Sequence, residues 1–554
     1  LVRRLLENGA NSSFVNQLYN LDIPSEDLVT DPVKDAQKST TKRHPHILLP
    51  RELFLSARKN SEGVDLTHPV KTEELLDHIS TQHEDISLEP LSDTTADDLR
   101  HAVKQSRQAW PGWAEEPAAT RADILNNIAD LYEAQSARLM ALCIKEGRKT
   151  IPDAHAEVRE AVDFCRYYAA RGRYDFNEDG ILLPGPTGEE NRLSLHGRGP
   201  FVCISPWNFP LAIFTGQIVA ALMAGNTVLA KPAEQTPHIA AYAISLMHRA
   251  GIPQDVLQLI IGDGEIGAQL VAQEGIAGVA FTGSTAAAKS INISLAGRDG
   301  PIIPLIAETG GQNAMIADSS ALSEQLIDDV IHSAFGSTGQ RCSALRVLFL
   351  QQDVADKTLK MLRGAMAELR LGDPLSLSTD IGPVIDAEAY GALIKHRNYL
   401  DGAAKKIAEA PMPKDLNTRD SFFAPVAYEI DSLDLLREEV FGPILHVIRY
   451  KAGTEEAVIR EINDTGYGLT FGLHSRIGSR LDLCAEKVHA GNLYVNRGMT
   501  GAIVGSQPFG GMGLSGTGPK AGGPLYLQQF AHERTISVNT AASGGDAALV
   551  SLAE

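Results

Sequence analysis

The chain has 554 residues, of which 44% are hydrophobic, 21% are charged and 49 are glycine. That length exceeds what one core organises, so two or more domains are expected. The formal charge of −19 argues against nucleic acid or an anionic membrane as the main partner, and an acidic substrate then needs a local nest of N–H groups.

Residues 1–60 read as a short helix followed by a polar linker. The stretch 31–50 is rich in Lys, Thr, Pro and His and has no sustained period. The first six residues are basic and apolar, but Glu7-Asn8-Gly9 follows at once, so no signal-peptide core is expected. The chain begins with Leu1 rather than Met, as a fragment does. Helical period dominates about 94–172. From Phe201 onward, short apolar runs at 201–204, 227–230, 257–261 and 278–281 alternate with helical stretches at 213–223 and 239–250. Such alternation predicts a parallel, wound sheet. A second α/β segment spans about 308–498. No apolar run approaches the roughly 18 residues that cross a bilayer.

The five cysteines, Cys143, Cys165, Cys203, Cys342 and Cys484, form an odd set without a C-x-x-C pair. That suits neither a disulfide framework nor a zinc site, so no metal is expected, and it fits a reducing cytoplasm. Cys143, Cys165 and Cys484 fall on helical stretches and read as structural. Cys342 differs, because Gly339-Gln340-Arg341-Cys342-Ser343 follows Glu308-Thr309-Gly310-Gly311. A cysteine and a carboxylate in separate glycine-rich segments are a candidate nucleophile and general base. A thiol needs a polarising environment to ionise, and Arg341 stands next to it. The plainer reading of Glu308 is a strand-end carboxylate that caps the glycines. Asn208, in Pro206-Trp207-Asn208-Phe209-Pro210, is a candidate oxyanion donor with the Cys342 N–H, or simply the residue that holds a turn between two prolines.

In order and spacing, these three segments resemble the aldehyde dehydrogenase superfamily. The resemblance covers about 60–535 and departs from the usual pattern at Thr309, where leucine is common, and at Ala288, where glycine is common. It implies an α/β aldehyde dehydrogenase fold: a Rossmann-like NAD-binding domain, an α/β catalytic domain and oligomerisation strands. The expected segments are 1–60, the end of a preceding domain and a linker; 61–307, NAD binding with N-terminal helices; 308–498, the cysteine domain; and 499–554, anchor loop, oligomerisation strand and tail.

The cofactor implied is NAD, held by Ser205, Pro206, Trp207, Lys231, Glu234, Gly264, Gly283, Ser284, Glu439 and Phe441. Lys231 and Glu234 fall where the family binds the adenosine ribose, and a carboxylate there disfavours a 2′-phosphate. Without the family, a K-x-x-E is commonly an exposed ion pair. Gly262–Gly267 spells G-x-G-x-x-G after a strand, a weak match alone. The Phe281–Thr285 turn is the favoured phosphate site, with 262–267 as an accessory wall.

The segment Thr500–Gly505, with Gln507–Gly511, resembles the L-glutamate γ-semialdehyde (pyrroline-5-carboxylate) dehydrogenases. There, Gly501, Ala502 and Ser343 would grip the substrate α-carboxylate, Phe209 and Phe509 would flank its chain, and Arg341 would line the site. Arg3, Arg4, the stretch 8–14 and the tail 533–542 resemble the bifunctional proline utilization A flavoenzymes. That implies a proline dehydrogenase domain in the full-length chain, a homo-oligomer, and a tail that covers a channel between two active sites. Rival readings are a dehydrogenase for another semialdehyde, such as succinate semialdehyde, and a non-catalytic protein that kept the fold.

Overall fold

The computed structural model describes residues 17–20, 22–29, 31–38, 47–186, 188–414, 416 and 421–543. Arg3, Arg4 and the stretch 8–14 lie outside them. Contacts divide the chain into Leu1–Asn60 and Ser61–Glu554. In the first unit, helices run over Ser25–Leu28 and Pro32–Lys38. The second helix lies where no regular element was expected. Asp31 Oδ1 accepts from the Val33 N–H at 3.0 Å, a cap that closes a helix too short to show a period.

In the second unit the expected helical stretch resolves into helices Ala96–Glu115, Ala118–Ala134, Ser136–Lys145 and Ile151–Asp175. Thr95 begins the first with a reciprocal capping box to Asp98. A three-stranded sheet joins β1 (Ile181–Leu183), β2 (Glu189–Gly197) and β17 (Ala531–Asn539) in the order β1-β2-β17. β17 pairs antiparallel with β2 over nine residues, from Ala531↔Gly197 to Asn539↔Glu189.

The apolar runs after Phe201 form a five-stranded parallel sheet of β3 (Pro200–Ile204), β4 (Thr227–Lys231), β5 (Leu257–Leu259), β6 (Gly278–Thr282) and β7 (Leu305–Glu308). Its order, β5-β4-β3-β6-β7, reverses direction at β3, which opens a crevice beyond the C-terminal strand ends. Helices Ala212–Met223 and Pro237–Arg249 cover it, as their periods predict. Both faces are buried, which is why these strands read as continuous apolar runs.

The seven-stranded sheet comprises β8 (Ala314–Ala317), β9 (Val347–Gln351), β10 (Lys405–Glu409), β11 (Val426–Glu429), β12 (Ile444–Tyr450), β14 (Thr470–His474) and β15 (Asn492–Val495), in the order β10-β11-β12-β9-β8-β14-β15. Only the β10–β11 pair is antiparallel. Two short strands, β13 (Tyr467–Gly468) and β16 (Met512–Gly513), pair separately. The chain passes from the first large sheet to the second between Glu308, the last residue of β7, and Ala314, the first of β8. Among the described residues, no helix is long and apolar enough to cross a membrane.

Candidate active site

Cys342 lies on the loop before β9, which enters through an unusual backbone. Ser337, Thr338 and Gly339 have φ of 53°, 57° and 65°. Side chains rarely adopt this region, and its occurrence at consecutive residues marks a conformation imposed by its surroundings. Arg346, fully buried, imposes much of it. Its guanidinium donates to the carbonyls of Gly339 at 2.7 Å, Arg341 at 3.0 Å and Gly442 at 3.2 Å, and to Glu439 Oε1 at 3.1 Å. Asn313 completes the support, its Nδ2 donating to the Cys342 carbonyl at 2.6 Å and the Ala344 carbonyl at 2.9 Å.

The Cys342 thiol is half-buried, whereas the other four cysteines are buried. Burial, then the charges of Glu439 and Glu308, push its pKa up to about 12, against the opposing Ser343 N–H and Arg346. At neutral pH the thiol is therefore protonated, and its activation needs a base. The cation that favours the thiolate is Arg346 and not the adjacent Arg341, as the sequence suggested. Arg341 turns away to Asp153 at 2.6 Å and lies 5.7 Å from the Phe209 ring centroid.

Asn208 is buried and donates one Nδ2 hydrogen to the Gln340 carbonyl at 3.0 Å, which ties it to the cysteine loop. Its second amide hydrogen and the Cys342 N–H have no acceptor among the described residues. Two free donors, one tied to the cysteine loop and one on it, can hold a developing oxyanion. Glu308 is buried. Its Oε2 accepts from the Gly511 N–H at 2.9 Å, and its Oε1 has no partner among the described residues. Burial raises its pKa well above the carboxylate range, against the Gly511 N–H and the Lys520 charge. A carboxylate so raised, with one bare oxygen, is suited to general-base work near neutral pH.

The crevice side of the five-stranded sheet holds the other expected residues. Lys231 is buried, Glu234 is exposed, and Lys231 Nζ donates to the Pro232 carbonyl at 3.1 Å. A direct ion pair between them is absent. A cleft of about 480 Å³ opens there, lined by Pro232, Glu234, Gly262, Asp93, Arg148 and His238. Ser205, buried beside β4 through its N–H to the Lys231 carbonyl, has a hydroxyl without a partner.

The two glycine-rich turns separate clearly. Asp263 caps its own helix, Gly264–Val271, by accepting from Glu265 N–H at 2.9 Å and Ile266 N–H at 3.3 Å. That carboxylate already fills the anion position. Gly264 stays open, and Gly267 packs on the Lys231 stem. Ser284 instead caps Thr285–Ala296 with a neutral hydroxyl, accepting from Ala287 N–H at 3.2 Å. This second helix start is left positive and suits phosphate. At Gly283 a Cβ would meet the Phe281 ring at 2.6 Å, so a larger residue would have to displace that ring. Cleft, bare hydroxyl and neutral cap together fit a dinucleotide.

Glu439 reaches back to the crossover, where it accepts from the Gly311 N–H and pairs with Arg346. Phe441 packs edge-on to Trp207, with centroids 5.5 Å apart, and Pro206 precedes this Trp in the same turn. The anchor segment places Gly501 at φ 76°, exposed, with Ala502 half-buried and Ser343 buried. The hydroxyl of Thr500, beside them, is buried without a partner. Phe509 is held to Ala521 by two backbone hydrogen bonds of 2.9 and 2.8 Å.

An acidic helix face was not recognised from sequence. Asp153, Glu157 and Glu160 recur at i, i+4 and i+7 on Ile151–Asp175, a spacing that is one face of a helix. Asp153 pairs with Arg341, and Glu157 with the buried Lys149 at 3.0 Å, whose Nζ lies 4.5 Å from the Phe209 centroid. Among the described residues Glu160 has no ion pair of its own, and burial together with Glu157 pushes its pKa up to about 8.

Comparison with known proteins matches this architecture. The profile of the Aldehyde dehydrogenase family matches residues 71–536. The Bifunctional protein PutA of Escherichia coli K12 is 47% identical over 97% of this chain and 43% of its own length. A 1-pyrroline-5-carboxylate dehydrogenase of Geobacillus kaustophilus is 35% identical over 88% of this chain and 96% of its own. A crystal structure of a bifunctional proline utilization A protein superposes with a TM-score of 0.92 at 53% identity, covering 98% of this chain and 54% of that one. The chain thus spans about half the length of its bifunctional relatives. With most of its length matched, the chain belongs to the aldehyde dehydrogenase family.

Proposed function

We propose that the chain oxidises L-glutamate γ-semialdehyde, the ring-opened form of pyrroline-5-carboxylate, to L-glutamate with NAD⁺, the second step of proline catabolism. The observation that carries this reading is that Asn208 is tied to the Cys342 loop through the Gln340 carbonyl while Glu308 rests on Gly511, in the glycine-rich segment that follows Gly501–Ala502. The related 1-pyrroline-5-carboxylate dehydrogenases, over nearly their whole length, support it. Aldehyde dehydrogenases use NAD or NADP. NAD is favoured here by Glu234, whose exposed carboxylate repels a 2′-phosphate.

Cys342 gives its proton to a base and adds as thiolate to the aldehyde carbon, forming a thiohemiacetal. Asn208 Nδ2–H and the Cys342 N–H hold the oxygen as it gains charge. A dinucleotide held by Ser205, Lys231, Glu234, Gly283 and Ser284 would supply the acceptor for the hydride whose loss leaves Cys342 as a thioester. Glu308 then takes a proton from water, the water attacks the thioester, and glutamate leaves with Cys342 restored as thiol.

Substrate choice rests on both ends of the molecule. The open backbone at Gly501 and Ala502, with the Ser343 and Thr500 hydroxyls, suits a carboxylate. Phe209 and Phe509 flank the aliphatic chain, and Arg341 closes the wall through Asp153. Gly501→Val forces a side chain onto φ 76°. It is expected to raise KM for the semialdehyde about tenfold or more while leaving kcat/KM for propanal unchanged.

In this reading 61–307 serves the dinucleotide, 308–498 the cysteine, and 499–554 the anchor, oligomerisation strand and tail. β17, with Ile536 and Val538 exposed on an edge strand, supports a homo-oligomer. In the full-length protein a proline dehydrogenase domain would supply the substrate, in the cytoplasm. The test follows NADH formation with pyrroline-5-carboxylate, succinate semialdehyde and propanal. Preference for pyrroline-5-carboxylate supports the reading; preference for succinate semialdehyde keeps the mechanism and discards the substrate.

A further inference from the structure

Lys520 has no role in the chemistry described so far, yet it is built into the floor of the site. It follows β16 in Gly518-Pro519-Lys520 and is half-buried. Its three ammonium hydrogens are all committed to uncharged acceptors: the Gly491 carbonyl at 2.5 Å, Asn492 Oδ1 at 2.8 Å and the Gly510 carbonyl at 2.8 Å. Among the described residues it makes no ion pair. A partly buried cation without a contact anion is costly, so its retention calls for a function.

Two observations link it to Glu308. The first is mechanical. Asn492, which Lys520 holds, donates to the Pro508 carbonyl at 2.9 Å, and Lys520 itself holds the Gly510 carbonyl. Both ends of Pro508–Gly510 are thus pinned to β15. Against this segment the carboxylate rests: Gly511 N–H donates to Glu308 Oε2, and a Cβ at Gly510 would lie 2.7 Å from Oε1.

The second is electrostatic. Among the described residues, Glu308 is the one ionisable group whose charge bears on Lys520, and Lys520 is the one cation that bears on Glu308. The other titratable groups that face Glu308 are the Cys342 thiol from the cysteine loop and the buried Tyr526 phenol. Neither supplies positive charge.

We propose that Lys520 is a positioning residue for the hydrolytic step: it fixes the Gly510–Gly511 peptide on which Glu308 rests and supplies, without touching it, a counter-charge that favours the ionised form of this carboxylate. The inference rests on Glu308 as general base. A contact ion pair would lock the carboxylate and compete for the proton. A cation held one peptide away stabilises the charge and leaves Oε1 free to accept.

Burial raises Glu308 and Lys520 opposes it, so loss of the cation moves Glu308 further up. Proton-accepting activity is present above the Glu308 pKa and is lost as pH falls through it. In Lys520→Met the acid limb of kcat therefore moves to higher pH. At about pH 7 kcat drops about tenfold, tenfold per unit of displacement, and it converges on wild type at the alkaline end. Lys520→Arg, which keeps the charge, restores the limb. Asn492→Asp, which neutralises Lys520 in place, displaces it in the same direction and serves if the Met variant does not fold.

Propanal is measured alongside pyrroline-5-carboxylate, so a wrong substrate assignment does not obscure the result. An unmoved acid limb in both Lys520→Met and Asn492→Asp, with kcat lowered equally at every pH, overturns the proposal. If Glu308→Gln retains full turnover, the general-base reading fails first and the proposal falls with it.

Discussion

Cys342→Ala is expected to lower turnover by about 10⁴-fold or more, with NAD⁺ binding retained. The reason lies in how the five thiols are distributed. Cys143, Cys165, Cys203 and Cys484 are buried, and burial raises each of them, so they stay protonated and out of reach of substrate. Cys342 alone combines exposure with two free oxyanion donors and a neighbouring base. Nothing else nearby can form the covalent adduct that makes a water-labile thioester. Alanine leaves the Arg346 and Asn313 hydrogen bonds in place, since both act on backbone carbonyls. Loop geometry and the dinucleotide crevice should therefore survive. Iodoacetamide provides an independent readout, with one reactive thiol per chain in the wild type and none in the variant. Undiminished turnover in Cys342→Ala would refute the nucleophile.

The fold was legible wherever local pattern and tertiary environment agree. The runs at 201–204, 227–230 and 278–281 are apolar because both faces of their sheet are covered, and that environment writes itself into sequence. The same holds for the three motif segments, whose glycines mark close backbone approaches: Gly310 lies against Glu439, and Gly339 against the Gly442 carbonyl. What remained hidden depends on long-range contact. Arg346 reads as an ordinary arginine before a strand, yet it joins segments about a hundred residues apart through Glu439 and Gly442. Lys520 is equally anonymous until β15 is folded beside it. The preference for the Phe281–Thr285 turn was available from resemblance, but its physical reason was not, because only the cap hydrogen bonds show that Asp263 has filled its own helix start. Asp153, Glu157 and Glu160 were readable in principle by helical spacing. They look like a solvated face until Lys149 and Arg341 are seen opposite them.

Glu308→Gln should separate the two halves of the reaction. The glutamine keeps the shape and can still accept from the Gly511 N–H, so the crossover between the sheets is preserved. It loses the proton-accepting oxygen and the negative charge, and these losses act on Cys342 in opposite senses. The Glu308 charge is one of the influences that raise the thiol, so its removal favours the thiolate. Attack on the aldehyde and hydride loss can then proceed. Water facing the thioester, however, has no base, and general-base catalysis is worth about 10²–10⁴-fold. The expected result is a rapid burst of NADH near one equivalent per site, followed by a steady state slower by that factor. Glu439 cannot replace the lost base, because the Gly311 N–H and Arg346 hold it. An unchanged steady state would place the base elsewhere. Loss of the burst as well would move the role of Glu308 to the first proton transfer, with thiol activation outweighing the gain from relieved repulsion.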